Sequence, residues 1–153
     1  SEYFGSERTE GLSELIAGTL TAEHVIRATG LTNFDYVATG ALPPNPAELL
    51  LHPRFEQFLR TMSSQYDRVI IDSPPVLAVT DGAIIGRHVG STLLVARFEE
   101  TQLRELELSM KRFQQAGLPI NGVLLNHVAA SSGYGYGYGY KYAYAYQYDR
   151  RKD

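Results

Sequence analysis

The chain has 153 residues, 44% of them hydrophobic, with no cysteine and a formal net charge of −3. That length and apolar content suit one packed domain without covalent staples, and the lack of Cys excludes disulfide frameworks and thiolate metal sites, which leaves a cytoplasmic setting as the expectation. No run approaches the ~20 apolar residues of a membrane helix and no basic-then-apolar leader opens the sequence, while the charge divides into +2 over residues 134–153 and −5 over the rest. An acidic body excludes general nucleic-acid binding, which draws its affinity from Lys and Arg neutralising phosphates.

Taken in chain order, residues 11–17 are expected to form a helix, and 21–29 are too ambiguous to assign. Residues 34–38 form the first apolar run and read as a strand. A helix is expected to open at Asn45-Pro46-Ala47-Glu48, where Asn45 can cap, Pro46 suits the first helical position and Glu48 completes a box-like arrangement. Pro53 ends that piece and starts another, with Phe55, Phe58, Leu59 and Met62 on one face. Residues 68–72 and 91–97 follow as strands dense in Val, Ile and Leu. Leu103, Leu106, Met110 and Phe113 then recur at steps of three, four and three, the spacing of a helix that Gly117 and Pro119 end. Residues 122–126 form a last strand.

Strands alternating with helices predict an α/β fold, a doubly wound and mostly parallel sheet with right-handed crossovers and helices on both faces. Near Ser131-Ser132-Gly133 the composition changes, dividing a body, residues 1–130, from a tail, residues 131–153.

The segment Val69-Ile70-Ile71-Asp72-Ser73-Pro74-Pro75 says most about function. A buried strand runs into a carboxylate and is stopped by two prolines, which cannot continue a central strand. Ligands of doubly wound sheets bind beyond the carboxyl ends of the strands, so Asp72 is expected on the functional rim. Two readings stand side by side here: an acid that orders Mg²⁺ or its water beside nucleotide phosphates, and an Asp that caps the turn after it.

Asp72-Ser73-Pro74-Pro75 after three aliphatics resembles the extended Walker B motif of the bacterial tyrosine kinases and of the deviant-Walker ATPases that position septa and plasmids. The stretch Gly40-Ala41-Leu42-Pro43-Pro44-Asn45-Pro46-Ala47-Glu48-Leu49-Leu50 is similar to the G-x-x-P-P-N-P-x-E-L-L segment of the tyrosine kinases, as are Thr80-Asp81 and Leu94-Val95-Ala96-Arg97. The order of these motifs covers nearly the whole chain, which thus resembles the later part of the cytoplasmic kinase domain of the bacterial tyrosine kinases of capsule and exopolysaccharide export.

The resemblance implies a P-loop NTPase-like fold that hydrolyses ATP with Mg²⁺ and phosphorylates the tail of its neighbour in a homo-oligomeric ring. It also implies a place at the cytoplasmic face of the bacterial inner membrane, beside polysaccharide synthesis and export proteins, with the membrane part on the same chain or on a partner. Asp72 is matched to the catalytic, metal-ordering acid. Asn126 is matched to the residue that contacts adenine, whose edge needs both a donor and an acceptor. A strand-end Asn that makes a turn is the other reading of Asn126.

A complete P-loop needs G-x-x-x-x-G-K-[ST]. The only lysines are Lys111, Lys141 and Lys152, none after Gly or before Ser or Thr. The second acidic Walker motif of the resembled family is missing too, and a start at Ser1 fits a truncated chain. Residues 1–153 alone are therefore expected neither to bind ATP tightly nor to transfer phosphate.

In the tail Tyr134, Tyr136, Tyr138, Tyr140, Tyr142, Tyr144, Tyr146 and Tyr148 alternate with Gly, Lys, Ala or Gln. Such a segment is expected to be extended and disordered, serving as a multi-site phosphoacceptor, or else as an adhesive low-complexity tract. Each phosphate adds about −1.5 to −2 charges, and repulsion from the acidic body is then expected to release the tail and loosen the ring.

His24, His52, His88 and His127 lack metal-ligand spacing and are expected to be structural or solvated. Glu99 and Glu100 precede a helix starting near Thr101, where negative charge suits the dipole. Asp81 lies near the expected rim with its role open, and Arg150, Arg151 and Lys152 are few for a lipid-binding claim. Two rivals to the kinase reading are a positioning ATPase of the same fold, which the tyrosine tail speaks against, and a nonenzymatic scaffold whose tail is a docking platform.

Overall fold

The computed structural model describes residues 10–128. The tail and its disorder lie outside those residues, as do Tyr134 through Tyr148. In chain order the elements are α1 (Leu12–Ala17), α2 (Ala22–Val25), β1 (Ile26–Ala28), β2 (Asp35–Val37), α3 (Pro46–Leu50), α4 (Pro53–Gln65), α5 (Asp81–Gly86), β3 (Leu93–Arg97), α6 (Leu103–Gln115) and β4 (Gly122–Asn126).

The core forms where helices present apolar faces to each other. α4 begins as its sequence requires: Pro53 takes the first turn, where its missing N–H costs nothing, and the His52 ring Nδ1 accepts from the Arg54 backbone N–H at 3.2 Å. The helix buries Phe55, Leu59 and Met62 on the expected face. Phe55 and Leu59 join Ile16 of α1 and Ile85 of α5 in one cluster, with Leu12, Leu49, Leu50, Phe58, Ile71 and Val89 packed around it.

At the start of α1 the Glu14 carboxylate closes a loop, accepting from the backbone N–H of Gly11 at 2.7 Å and of Ala41 at 3.1 Å. Gly40 holds φ +84° directly against that carboxylate, so a side chain there meets both backbone strain and Glu14. α3 forms where expected, but its Asn45 cap does not. The Asn45 side-chain amide donates instead to Glu48 at 3.3 Å and leaves the first-turn N–H groups without a side-chain acceptor.

The strands depart further from expectation. β3 and β4 pair in parallel from Leu93↔Gly122 to Arg97↔Asn126, with α6 as the crossover between them. The 34–38 run, expected in that parallel sheet, instead contributes β2 to an antiparallel pair with β1, in register Ile26↔Val37. The cause is the turn between them. Thr29 Oγ1 donates to the Phe34 carbonyl at 2.7 Å, and Gly30 and Asn33 take positive φ, which folds β2 back onto the stretch that the sequence left ambiguous.

Residues 68–72 form no ladder with any described residue, so no strand is assigned there. A strand exists only where a neighbour supplies ladder hydrogen bonds. Two two-stranded sheets thus stand among the described residues in place of one doubly wound sheet.

The apolar residues meant for that larger sheet lie open. Ile70 is 90% exposed, and Leu93, Val95, Val123, Leu124 and Leu125 are each about half exposed or more. α6 shows the same effect. Phe113 is buried as its spacing predicts, yet Leu103 and Met110 of the same stripe are exposed because no described element faces them.

Candidate functional site

The 68–72 run is held from one side only. Ile71 packs against the helical cluster of Phe55, Leu59 and Ile85, and Asp72 emerges at its end. The Ser73-Pro74-Pro75 stretch then turns, with the Pro75 carbonyl accepting from the Ala78 N–H at 2.9 Å. Two contacts moor this turn to the rest of the fold. Arg112 of α6 donates to the Val76 carbonyl at 2.7 Å, and Gly82, buried in the first turn of α5, lies against Ser73, Val76 and Phe113. Close packing continues along α5, where a side chain on Gly86 would press on Leu118 and Phe113.

The Asp72 carboxylate is exposed and makes no hydrogen bond or ion pair with a described residue. It does not cap the turn that follows it, so the structure gives that reading of Asp72 no hydrogen bond. Asp81 stands at the first position of α5, half-buried.

Asn126 ends β4, paired in register with Arg97 at the end of β3. Its Oδ1 accepts from the His127 backbone N–H at 2.8 Å, which bends the chain as His127 takes φ +62°. Its side-chain NH₂ bonds to no described residue. The turn reading of Asn126 therefore holds for its oxygen, while its donor and the second lone pair of that oxygen remain available to a ligand edge.

Around Asn126 the sequence reading missed a small polar network. The Arg97 guanidinium reaches Glu100 at 3.1 Å and the His127 Nδ1 at 3.3 Å, while the Arg97 backbone N–H donates to Thr101 Oγ1 at 2.8 Å. Glu100, expected to act on the α6 dipole, is tied to Arg97, and the N-terminus of α6 is closed by Glu105, which accepts from the Gln102 N–H at 2.9 Å. Only the i, i+3 spacing of Arg97 and Glu100 hinted at this pair. No bond joins Asp72 to Asn126 among the described residues; what they share is position, each at the carboxyl end of an apolar run.

His24 bonds to Thr21, His52 caps α4 and His88 sets its ring edge-on to Phe55. Among the described residues no group of three His, Asp or Glu is placed to hold a metal ion. One exposed carboxylate still suits Mg²⁺, which keeps most of its water and takes one or two carboxylates together with substrate phosphates. Asp72 fits that sparse donor set.

No family model matches the chain. Among curated proteins it is 46% identical over 134 residues to a tyrosine-protein kinase, wzc, of Salmonella typhi, covering 87% of this chain and 19% of that one. It is 47% identical over 127 residues to a putative tyrosine-protein kinase of the cps region of Klebsiella pneumoniae, covering 83% and 18%. Among solved structures it superposes on the kinase domain of the Escherichia coli tyrosine kinase ETK with TM-score 0.80 and 45% identity, over 90% of this chain and 54% of that one. The chain thus spans about a fifth of the length of the curated relatives it matches and about half of the solved kinase domain.

Proposed function

The chain belongs to the bacterial tyrosine kinases, and from that premise we propose that it is the later part of an ATP-dependent protein-tyrosine autokinase that phosphorylates the tyrosine cluster of neighbouring subunits. The observation that carries this reading is Asp72, an exposed and unpartnered carboxylate leaving an apolar run just before Ser73-Pro74-Pro75. An acid with no structural partner at the end of an apolar run is available for a metal-bound nucleotide.

In this reading Asp72 orders Mg²⁺ or its water, and Asn126 offers its free NH₂ and remaining lone pair to the adenine edge. Bound Mg·ATP supplies an electrophilic γ-phosphoryl group. A tail hydroxyl from among Tyr134, Tyr136, Tyr138, Tyr140, Tyr142, Tyr144, Tyr146 and Tyr148 would accept that group, with ADP as the leaving group and the hydroxyl proton passing to water. The missing phosphate-binding loop belongs to polypeptide beyond these 153 residues. Support comes from the uncovered apolar surface: Ile70, Val95 and Leu125 are exposed to an extent that further strands and helices of a complete kinase domain would relieve. The chain alone is then inactive.

The same reading places the whole protein in an oligomeric ring at the cytoplasmic face of the inner membrane, regulating capsular or extracellular polysaccharide synthesis and export. The link to polysaccharide synthesis is supported by the cps-region name of one relative.

The test is phosphopeptide mass spectrometry of residues 134–148 from cells making the full-length protein, as wild type and as Asp72→Asn. Phosphotyrosine present in the first and lost in the second is the expected result. An unmodified tail in both would favour the scaffold.

A further inference from the structure

A groove runs between α4 and the segment that follows α5. Its floor is apolar, formed by Leu59 and Val89. Its rim carries two cations, Arg60 from α4 and Arg87 just after α5, against one anion, Glu56 of α4, and the hollow has a volume of about 580 Å³. A smaller hollow of about 190 Å³ shares Leu59, Ser63, His88 and Val89 and extends the groove toward Arg68.

The rim groups are lightly committed. The Arg87 guanidinium is exposed and bonds to no described residue, and that of Arg60, 79% exposed, is held among the described residues by Glu56 alone, at 2.6 Å along its own helix. The His88 ring nitrogens and the Ser63 hydroxyl likewise have no hydrogen-bond partner among the described residues, although the His88 ring is fixed edge-on to Phe55. On a body whose charge sums to −5, these groups leave a local excess of positive charge.

The chemistry that matches an apolar floor below two guanidinium groups is an aryl phosphate. The ring covers Leu59 and Val89, and a phosphate carrying −1.5 to about −2 charges takes Arg87 and competes with the single carboxylate of Glu56 for Arg60. The chain has its own source of such groups, the tyrosines at even positions from 134 to 148. The last described residue is Val128, and the 20 residues from there to Tyr148 reach ~65 Å when extended.

We propose that this groove docks a phosphotyrosine of the 134–148 tail. The proposal rests on the reading that the tail is phosphorylated. It adds a product-binding site apart from the transfer site, because the groove lies at the Arg68 end of the 68–72 run, about 13 Å along an extended chain from Asp72. Tail tyrosines that have already reacted are held there, so that the local charge of Arg60 and Arg87 outweighs the repulsion that the net charge of the body alone predicts.

The test uses the full chain, shown by intact mass to be unphosphorylated, and labelled synthetic peptides of residues 134–148 with and without phosphate on Tyr138, followed by fluorescence anisotropy at ~0.1 M salt. The phosphorylated peptide is expected to bind roughly tenfold more tightly or better, and Arg60→Gln with Arg87→Gln to remove that advantage. Lys111→Gln, an exposed charge change on α6, is expected to leave binding unchanged. Free phosphotyrosine should displace the peptide at lower concentration than inorganic phosphate.

Equal binding of the two peptides, undiminished binding by the double variant, or displacement by inorganic phosphate as readily as by phosphotyrosine would each overturn the proposal. Both arginines are exposed, and a melting curve matching the parent shows that the double variant is folded. Because the peptides are synthetic, their failure to bind leaves the autokinase reading intact. A tail found unmodified in cells removes that reading whatever the peptides do.

Discussion

The helical side and the sheet side of this chain should respond oppositely to loss of an apolar side chain. Phe55 is 1% exposed, packs with Ile16, Leu59 and Ile85, and meets the His88 ring at 5.6 Å between centroids. Phe55→Ala removes the ring and leaves a cavity that α1, α4 and α5 cannot all collapse into, at a cost of about 3–5 kcal/mol. Ile70 is equally apolar but 90% exposed, so Ile70→Ser is expected to cost less than ~0.5 kcal/mol in the same chain. Urea unfolding followed by far-ultraviolet circular dichroism reads both. Phe55→Ala should lower the midpoint sharply, and its melting temperature should fall by roughly 10–20 °C. In a polypeptide that carries the complete kinase domain, Ile70→Ser is expected to become costly, about 2–4 kcal/mol, because the residue is then buried in a central strand. An equal, small effect of Ile70→Ser in both contexts would refute the argument that 68–72 is a strand awaiting its neighbours, and a Phe55→Ala cost under ~1 kcal/mol would refute the assignment of the core.

Asp72→Asn should leave the melting curve of the chain within ~0.5 kcal/mol of the parent, since the carboxylate has no partner to lose. In the full-length protein, in vitro incorporation of labelled phosphate should fall at least ~100-fold. Glu14→Gln is expected to cost about 1–2 kcal/mol in urea unfolding, because one of the two backbone N–H groups held by the carboxylate then faces a side-chain NH₂. The Tyr66 hydroxyl donates to Asp35 at 2.7 Å, and this bond raises its pKa above the usual tyrosine value by favouring the protonated form. Its contribution is therefore present below pH ~10 and lost as the pH rises through the raised pKa. Urea midpoints of Tyr66→Phe and the parent should differ slightly at pH 8 and converge above that point.

Local chemistry was read well from the sequence. Pro53 opening α4, the buried Phe55, Leu59 and Met62, the β3–α6–β4 crossover, and the end of α6 at Ala116 before Gly117 all follow from signals contained within a few residues. What could not be read depended on partners far along the chain. Residues 68–72 have the composition of a central strand, but composition cannot supply a neighbour. The 34–38 run carries no mark of parallel or antiparallel pairing, and only the Thr29–Phe34 turn decides it. Asn45 shows the same limit on a smaller scale, because an ideal capping residue bonded to Glu48 instead. Asp72 and Asn126 stand out in the sequence because each ends an apolar run, whereas the Arg97 link to Glu100 and His127 needs two chain segments brought together by the β3–β4 register.

The division between satisfied and unsatisfied surface follows the same logic into function. α1, α4 and α5 close a core from residues of this chain alone, and that core grips Ile71 and positions the residues just before Asp72. Nothing described grips the other face of 68–72 or the outer faces of β3 and β4, where the apolar side chains lie open. A carboxylate whose near side is fixed by a finished core, and whose far side adjoins an unfinished sheet, is placed before its site is complete. Tight nucleotide binding by this chain alone would contradict that view, because the phosphate-holding amides and lysine would then have to come from residues that carry no such motif. If full-length protein binds Mg·ATP and the 153-residue chain does not, the difference measures what the remaining polypeptide adds to the site proposed at Asp72 and Asn126.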